Sequence, residues 1–331
     1  MVNIASLVSS LGGFAQKQQL VRRGARDLDL TLAVRDGSVI RARQGWYTTL
    51  PAMDPRVRAV RVGGRLTGIS AVKQAGGWVL GRHPLHVSVH ENAARLRSQF
   101  NRRVRFDPTV AREAVLVWDD SGVAERGTAW AVDIRDALHR VVLDEPFEEA
   151  IAALDWALRR GVIDRMDFEA ILLALPAEFS RLRDWVDEKC DSLPESLSRT
   201  RLRLRGHHVE SQRPLGEKKI DLVVDDCVGI ETDGEQYHLL TFEEDRSKDL
   251  DITITCLHGI RPSARAVFDD WPRVLLAIET ALSTHVDRPA ASFGNSGLWM
   301  PPRIIAPGTT RARRKQLRQS PEFPKGRTAR E

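Results

Sequence analysis

Three carboxylates, Asp221, Glu231 and Asp233, stand at a spacing that lets them share one cation. Lys219-Ile220-Asp221-Leu222-Val223-Val224-Asp225-Asp226 and Cys227-Val228-Gly229-Ile230-Glu231-Thr232-Asp233 both read as β-strands, rich in β-branched residues. Residues i and i+2 of a strand point to one face, so Glu231 and Asp233 project together. If the two strands pair antiparallel, Asp221 joins them from the neighbouring strand. Three facing carboxylates repel at neutral pH unless one protonates or a hard divalent ion sits among them. Magnesium is the expected resident, with manganese as the alternative. Such an ion polarises a phosphodiester and lowers the pKa of an attacking water, which is the chemistry nucleases require.

These residues need a scaffold, and the flanking sequence supplies one. The expected order over 194–282 is α-β-β-β-α-β-α: a helix starting at Glu195 after Pro194 and ending at Gly206, strands over 209–214, 219–226 and 227–233, a helix over 243–251, a return strand over 252–257, and a closing helix over 271–282. In that order the chain carries Glu195-Ser196 with Arg199, then Asp221, then Glu231, Asp233, Gly234 and His238, then Asp245, Arg246 and Asp249.

This run resembles the very-short-patch-repair-like branch of the restriction-endonuclease-like, PD-(D/E)-x-K superfamily. The resemblance implies that Asp221 and Glu231 are metal ligands and that Asp233 occupies the place usually held by the superfamily's Lys. That Lys positions water and stabilises transition-state charge, so its role must pass to another group. His238 is the first candidate and Lys248 the second. By the same resemblance Glu195 orients the site from the first helix, and Arg246 meets phosphate.

At the other end, residues 3–10, 15–23 and 26–35 read as three short helices, and Asp36-Gly37 and Gln44-Gly45 bracket two short strands. Three small helices and a basic hairpin make the layout of a winged helix. The third helix, beginning at Arg26, would enter the major groove, and Arg41 and Arg43 on the hairpin would meet phosphate. The stretch resembles the amino-terminal domain of AbiEi-type antitoxins and regulators at Gly13, Leu20, Gly24, Asp36-Gly37 and Gly45-Trp46-Tyr47.

Charge is unevenly distributed along the 331 residues. Residues 1–110 carry 18 Lys/Arg against 6 Asp/Glu and residues 311–331 carry 8 against 2, whereas residues 111–310 hold 24 against 37. A polyanion such as double-stranded DNA is drawn to the basic ends. Cys190, Cys227 and Cys256 lack the spacing of a zinc ribbon or a disulfide framework, and no apolar run approaches a membrane span. A cytoplasmic protein without membrane contact is expected.

The expected fold class is multidomain α+β or α/β. It comprises a winged helix over 1–50, a small α+β extension over 51–110, a mainly helical connector over 111–190, a restriction-endonuclease-like αβββαβ core over 191–285, and a basic, largely disordered tail over 286–331. In the connector, Phe147, Ile151, Leu154 and Leu158, then Phe168, Leu172 and Leu175, follow helical spacing and should face a core. Two functions fit. One is a DNA endonuclease recruited by its winged helix. The other is an antitoxin-like transcriptional regulator whose nuclease-like domain is inactive, favoured by Asp233 in place of Lys and by the acidic middle. A second copy or a cognate toxin is the protein partner expected.

Overall fold

The computed structural model describes residues 2–110, 113–120, 122–123, 126–232, 252, 254–255 and 257–284. Helices and mixed sheets alternate along them.

The Asn3 side chain accepts from the Ser6 N–H at 3.0 Å and caps α1 (Ile4–Ser9). Gly12 and Gly13 both take positive φ, which ends that helix and turns the chain into β1 (Phe14–Gln16). Next come α2 (Lys17–Arg22), α3 (Asp27–Arg35), β2 (Ile40–Arg43) and β3 (Trp46–Thr48), and the strands form one sheet in the order β1-β3-β2. Residues 15 and 16, expected at the start of a helix, are instead strand. They pair antiparallel with Trp46 and Tyr47, a partner that exists only once the hairpin has folded back. On α3 the buried side is Asp29, Leu30 and Ala33, and Leu28 on the opposite side is 61% exposed.

The central part begins with α4 (Pro55–Val62), capped by Asp54 and closed by Gly63 at φ 113°. It continues through β4 (Arg65–Leu66), α5 (Gly68–Gln74), β5 (His86–His90), β6 (Val115–Asp119), α6 (Ile134–Asp144), α7 (Phe147–Arg159), α8 (Arg165–Ala174) and a 3-10 helix over Ala177–Asp184. The expected boundary at 110/111 runs through a shared core. β5 pairs parallel with β6 from His86↔Val115 to His90↔Asp119, and one hydrophobic cluster joins Ala59 to Val186. Ile151, Leu154, Leu158, Phe168, Leu172 and Leu175 are all buried in it, as their spacing predicts. Truncating Ile151 or Leu154 to Ala would cost on the order of 2–5 kcal/mol.

The last unit runs α9 (Leu193–Leu204), β7 (Val209–Leu215), β8 (Lys218–Val224), β9 (Val228–Ile230), β10 (His258–Ile260), α10 (Ala264–Asp269) and α11 (Trp271–Ser283). The sheet order is β10-β9-β8-β7, with β7, β8 and β9 antiparallel in turn and β9 parallel to β10. Its core joins Leu222, Val224, Val228 and Ile230 to Leu202 of α9 and to Val274, Leu275 and Ile278 of α11. The second strand ends at Val224 rather than at residue 226, because Asp225 and Asp226 take φ 48° and 57° and form the turn into β9. The third strand, expected to reach residue 233, ends at Ile230. The return strand is His258–Ile260, not 252–257: Ile252 and Ile254 are helical, and Ile252 packs with Ile220 and Val223. Among the described residues no helix is long and apolar enough to cross a membrane.

Candidate functional site

The antiparallel pairing of β8 with β9 matches Leu222 to Ile230, and one further step along the register sets Asp221 opposite Glu231. Both residues leave the ladder with their carboxylates held by backbone. The Asp221 N–H donates to Glu231 Oε1 at 3.2 Å, and the Thr232 N–H donates to Asp221 Oδ2 at 2.8 Å. The Glu231 N–H in turn donates to the Ile260 carbonyl at 3.0 Å, so the parallel β10 strand fixes the backbone that carries this carboxylate. Glu231 is only 6% exposed. A carboxylate this buried persists as an anion only where N–H groups or a cation stand beside it.

Glu195 approaches from the first turn of α9. Ser192 caps this helix, and its Oγ donates to Glu195 Oε1 at 2.7 Å. Glu195 Oε2 accepts from the Asp191 N–H at 2.9 Å and from Gln212 Nε2 at 3.0 Å. Burial pushes the Glu195 carboxyl up to about 7, and the charge of Asp221 adds to that rise. Glu195 therefore senses Asp221, but its own oxygens are occupied by three donors. This makes it a positioning group beside the carboxylate pair.

Gln212 was not legible as a site residue. The pairs Ser211↔Leu222 and Arg213↔Ile220 flank it, which places it opposite Asp221, and it adopts φ 55°. A non-glycine residue in the left-handed region costs about 1 kcal/mol or more and persists where its surroundings demand it. Here that conformation accompanies the amide bond to Glu195. An isolated polar residue within a strand gives no sequence signal of such a role.

The Ser196 and Arg199 pair anchors the site instead of lining it. Asp155 of α7 is fully buried and accepts from Ser196 Oγ at 2.6 Å, from Arg199 Nη2 at 3.0 Å and from the Asp187 N–H at 2.7 Å. Burial raises the Asp155 carboxyl, and the Arg199 guanidinium opposes the rise. Arg199 also donates to the Trp185 carbonyl, so the helix carrying Glu195 is tied to two other segments.

Asp221, Glu231 and Glu195 are thus brought together. Asp233, His238, Arg246 and Lys248, with Gly234, Asp245 and Asp249, lie outside the described residues, as does the helix expected over 243–251. The donors from Asp221 and Glu231 are all oxygen, which fits a hard divalent cation such as magnesium better than zinc or copper.

In the amino-terminal unit the structure separates the three expected DNA contacts. Arg26 is exposed and pairs with the buried Asp29 at 3.2 Å. Arg41 is half-buried on β2. Arg43 turns inward, donating to the carbonyls of Arg61 at 3.2 Å, Val62 at 2.7 Å and Arg95 at 3.2 Å, where it satisfies the end of α4.

A second cluster, which the sequence reading passed over, lies in the central part. His83 stands between Glu145 and Glu149, and those carboxylates push it up to about 10. His-x-x-His at 83–86 and Glu-x-x-x-Glu at 145–149 are the spacings that could have drawn attention to it. No protein-family model matches this chain, and no curated protein matches it either.

Proposed function

We propose that this chain is a DNA-binding protein whose carboxyl-terminal unit is a magnesium-dependent endonuclease of the very-short-patch-repair-like kind, cleaving or nicking DNA phosphodiesters. The observation that carries the reading is the meeting of Asp221 and Glu231 across β8 and β9, with Glu195 behind them on α9. A helix followed by a three-strand antiparallel meander and a parallel fourth strand supports it, because that is the arrangement the PD-(D/E)-x-K resemblance implies.

Asp221 and Glu231 would hold the ion, each carboxylate oriented by a backbone N–H. When bound, magnesium would polarise the phosphodiester and acidify the attacking water. Glu195, held by Ser192 and Gln212, stands beside Asp221 as a positioning group on the first turn of α9. Asp233 stands where the superfamily has Lys, and His238 or Lys248 takes over proton transfer and charge stabilisation.

The amino-terminal unit serves as a winged helix. The order α1, β1, α2, α3, then the β2–β3 hairpin supports this, and α3 presents Leu28, Thr31 and Arg35 outward for a DNA groove. Arg26 and Arg41 supply phosphate contacts, while Arg43 holds the hairpin to α4. Double-stranded DNA is the partner, and a second copy or a cognate toxin is the expected protein partner.

The alternative is an AbiEi-like regulator with an inactive nuclease-like unit, and the Asp233 departure favours it. Supercoiled plasmid incubated with the full chain in magnesium, manganese or EDTA decides between them, with Asp221→Asn and Glu231→Gln alongside. Metal-dependent nicking that both variants lose is expected. Duplex binding that falls with salt, without any nicking the variants abolish, would leave the regulator.

A further inference from the structure

Residues 95–105 hold five arginines, Arg95, Arg97, Arg102, Arg103 and Arg105, and no Asp or Glu. Backbone bonds fold this segment into a short hairpin arm. The Phe106 N–H donates to the Leu96 carbonyl at 3.1 Å, the Ser98 N–H donates to the Val104 carbonyl at 3.0 Å, and Arg97 bridges Arg105 antiparallel. Asn101 closes the turn, its Oδ1 accepting from the Arg103 N–H at 2.9 Å.

The arm is pinned at its base. Gln99 is fully buried: its N–H donates to Glu113 Oε1 at 3.0 Å, and its carbonyl accepts from Arg61 Nη1 of α4 at 2.5 Å. The Arg97 N–H donates to the Val62 carbonyl at 3.1 Å. The Arg95 carbonyl, turned by a φ of 58°, accepts from Arg43 Nη2 of β2 at 3.2 Å. The arm and the β2–β3 hairpin therefore meet at Arg43.

The charge of the arm is unmet by the protein. Among the described residues none of the five guanidiniums makes an ion pair or a side-chain hydrogen bond. Arg95, Arg103 and Arg105 are exposed, and Arg97 and Arg102 are half-buried. They stand against further positive charge: burial and then Arg97 disfavour the Arg43 cation, and burial, Arg58 and Arg102 disfavour that of Arg61. Glu113, the carboxylate at the base, is 8% exposed, accepts from the N–H groups of Gln99 and Ala114, and acts on Arg58. Like charges gathered on a fixed element repel one another until an external anion meets them. All five are arginine, whose planar fork pairs with phosphate through two parallel bonds.

We infer that the 95–105 arm is a second contact to duplex DNA, with Arg102, Arg103 and Arg105 meeting backbone phosphates in continuation of the β2–β3 hairpin. The inference rests on the DNA-binding reading proposed above. It assigns affinity to the arm and not sequence choice, since phosphate contacts carry no base information.

The test measures binding of the full chain to a short fluorescent duplex in EDTA across a series of salt concentrations, with melting followed in parallel. In wild type, log affinity should fall linearly with log salt. The triple variant Arg102→Ala, Arg103→Ala and Arg105→Ala should melt like wild type and flatten that slope by about 2.7, or about 0.9 for each lost phosphate contact, on duplexes of any sequence. Lysine at the same three positions keeps the charge and should restore the slope. A wild-type slope in the alanine variant overturns the inference and leaves the DNA-binding reading intact; a wild type that binds no duplex removes both. Polyglutamate is the control. If it binds wild type as tightly as duplex does and loses that affinity in the alanine variant, the arm is a site for acidic protein and the inference is overturned. Should the triple variant fail to fold, Arg103→Glu alone, on an exposed side chain, should flatten the slope by at least about 1. An unchanged slope there overturns the inference as well.

Discussion

Asp221 and Glu231 lie where sheet backbone points N–H groups at their oxygens, whereas Glu145 faces two imidazole nitrogens across 3.4 and 3.6 Å with one oxygen left without a partner. Both clusters gather negative charge away from water. The first offers oxygen alone and is partly satisfied by the chain itself, so it suits a loosely held hard cation that substrate can share. The second sets the protonated His83 between Glu145 and Glu149, so its buried negative charge is met by a side chain of the same cluster. The source of the countercharge, more than the number of carboxylates, separates the two.

Four expectations can break or sharpen that contrast. The largest concerns Asp155, a third buried carboxylate satisfied wholly by protein. Arg199→Leu would strand it without a countercharge and should cost about 3–5 kcal/mol in urea unfolding. A loss under about 1 kcal/mol would mean that α9 is not anchored this way.

Next is the split between activity and stability at the sheet site. Glu231→Gln should lower plasmid nicking at least about 100-fold, which corresponds to roughly 2.7 kcal/mol, while removing charge repulsion from the fold. Its melting temperature should therefore equal or exceed that of wild type. A large destabilisation would assign Glu231 a structural role.

Glu195 sets a pH test. Its folded carboxyl titrates near 7, above its ordinary value of 4.5, so the folded state binds the extra proton between those values. Stability should thus fall as pH rises from about 4.5 through 7, by up to about 3 kcal/mol, and Glu195→Gln should flatten that slope. An unchanged slope in the variant would place the titration elsewhere.

The smallest effect separates two neighbouring arginines. Arg41→Ala should reduce the salt dependence of duplex binding by about one counterion, at little cost in stability. Arg43→Ala should leave that slope alone and destabilise the protein by about 1–2 kcal/mol, because the carbonyls at the end of α4 lose their donor. Equal salt slopes in wild type and Arg41→Ala would remove Arg41 from the interface.

How much could be read without coordinates depended on the distance between partners. The helices carrying Phe147 through Leu158 and Phe168 through Leu175 were legible because their apolar spacing records a face that is buried whatever it packs against. β1 and β6 were not, since each is a strand only through pairing with a distant hairpin or with β5. The Asp221–Glu231 meeting was legible because two β-rich runs separated by a tight turn must lie side by side, and a period of two then decides which residues share a face. Gln212 was hidden, because a polar residue in a strand does not announce a left-handed φ.

By itself, the sequence determined the local periods, the caps and turns at Asn3, Ser192 and Gly63, and the register that sets Asp221 against Glu231. These follow from interactions within a few residues or across one hairpin. Only the tertiary structure decided that Arg43 faces inward, that Asp155 holds α9 in place, and that His83 and His86 meet Glu145 and Glu149. Each of those joins side chains far apart in the chain, and burial rather than spacing selects which polar groups end up as neighbours.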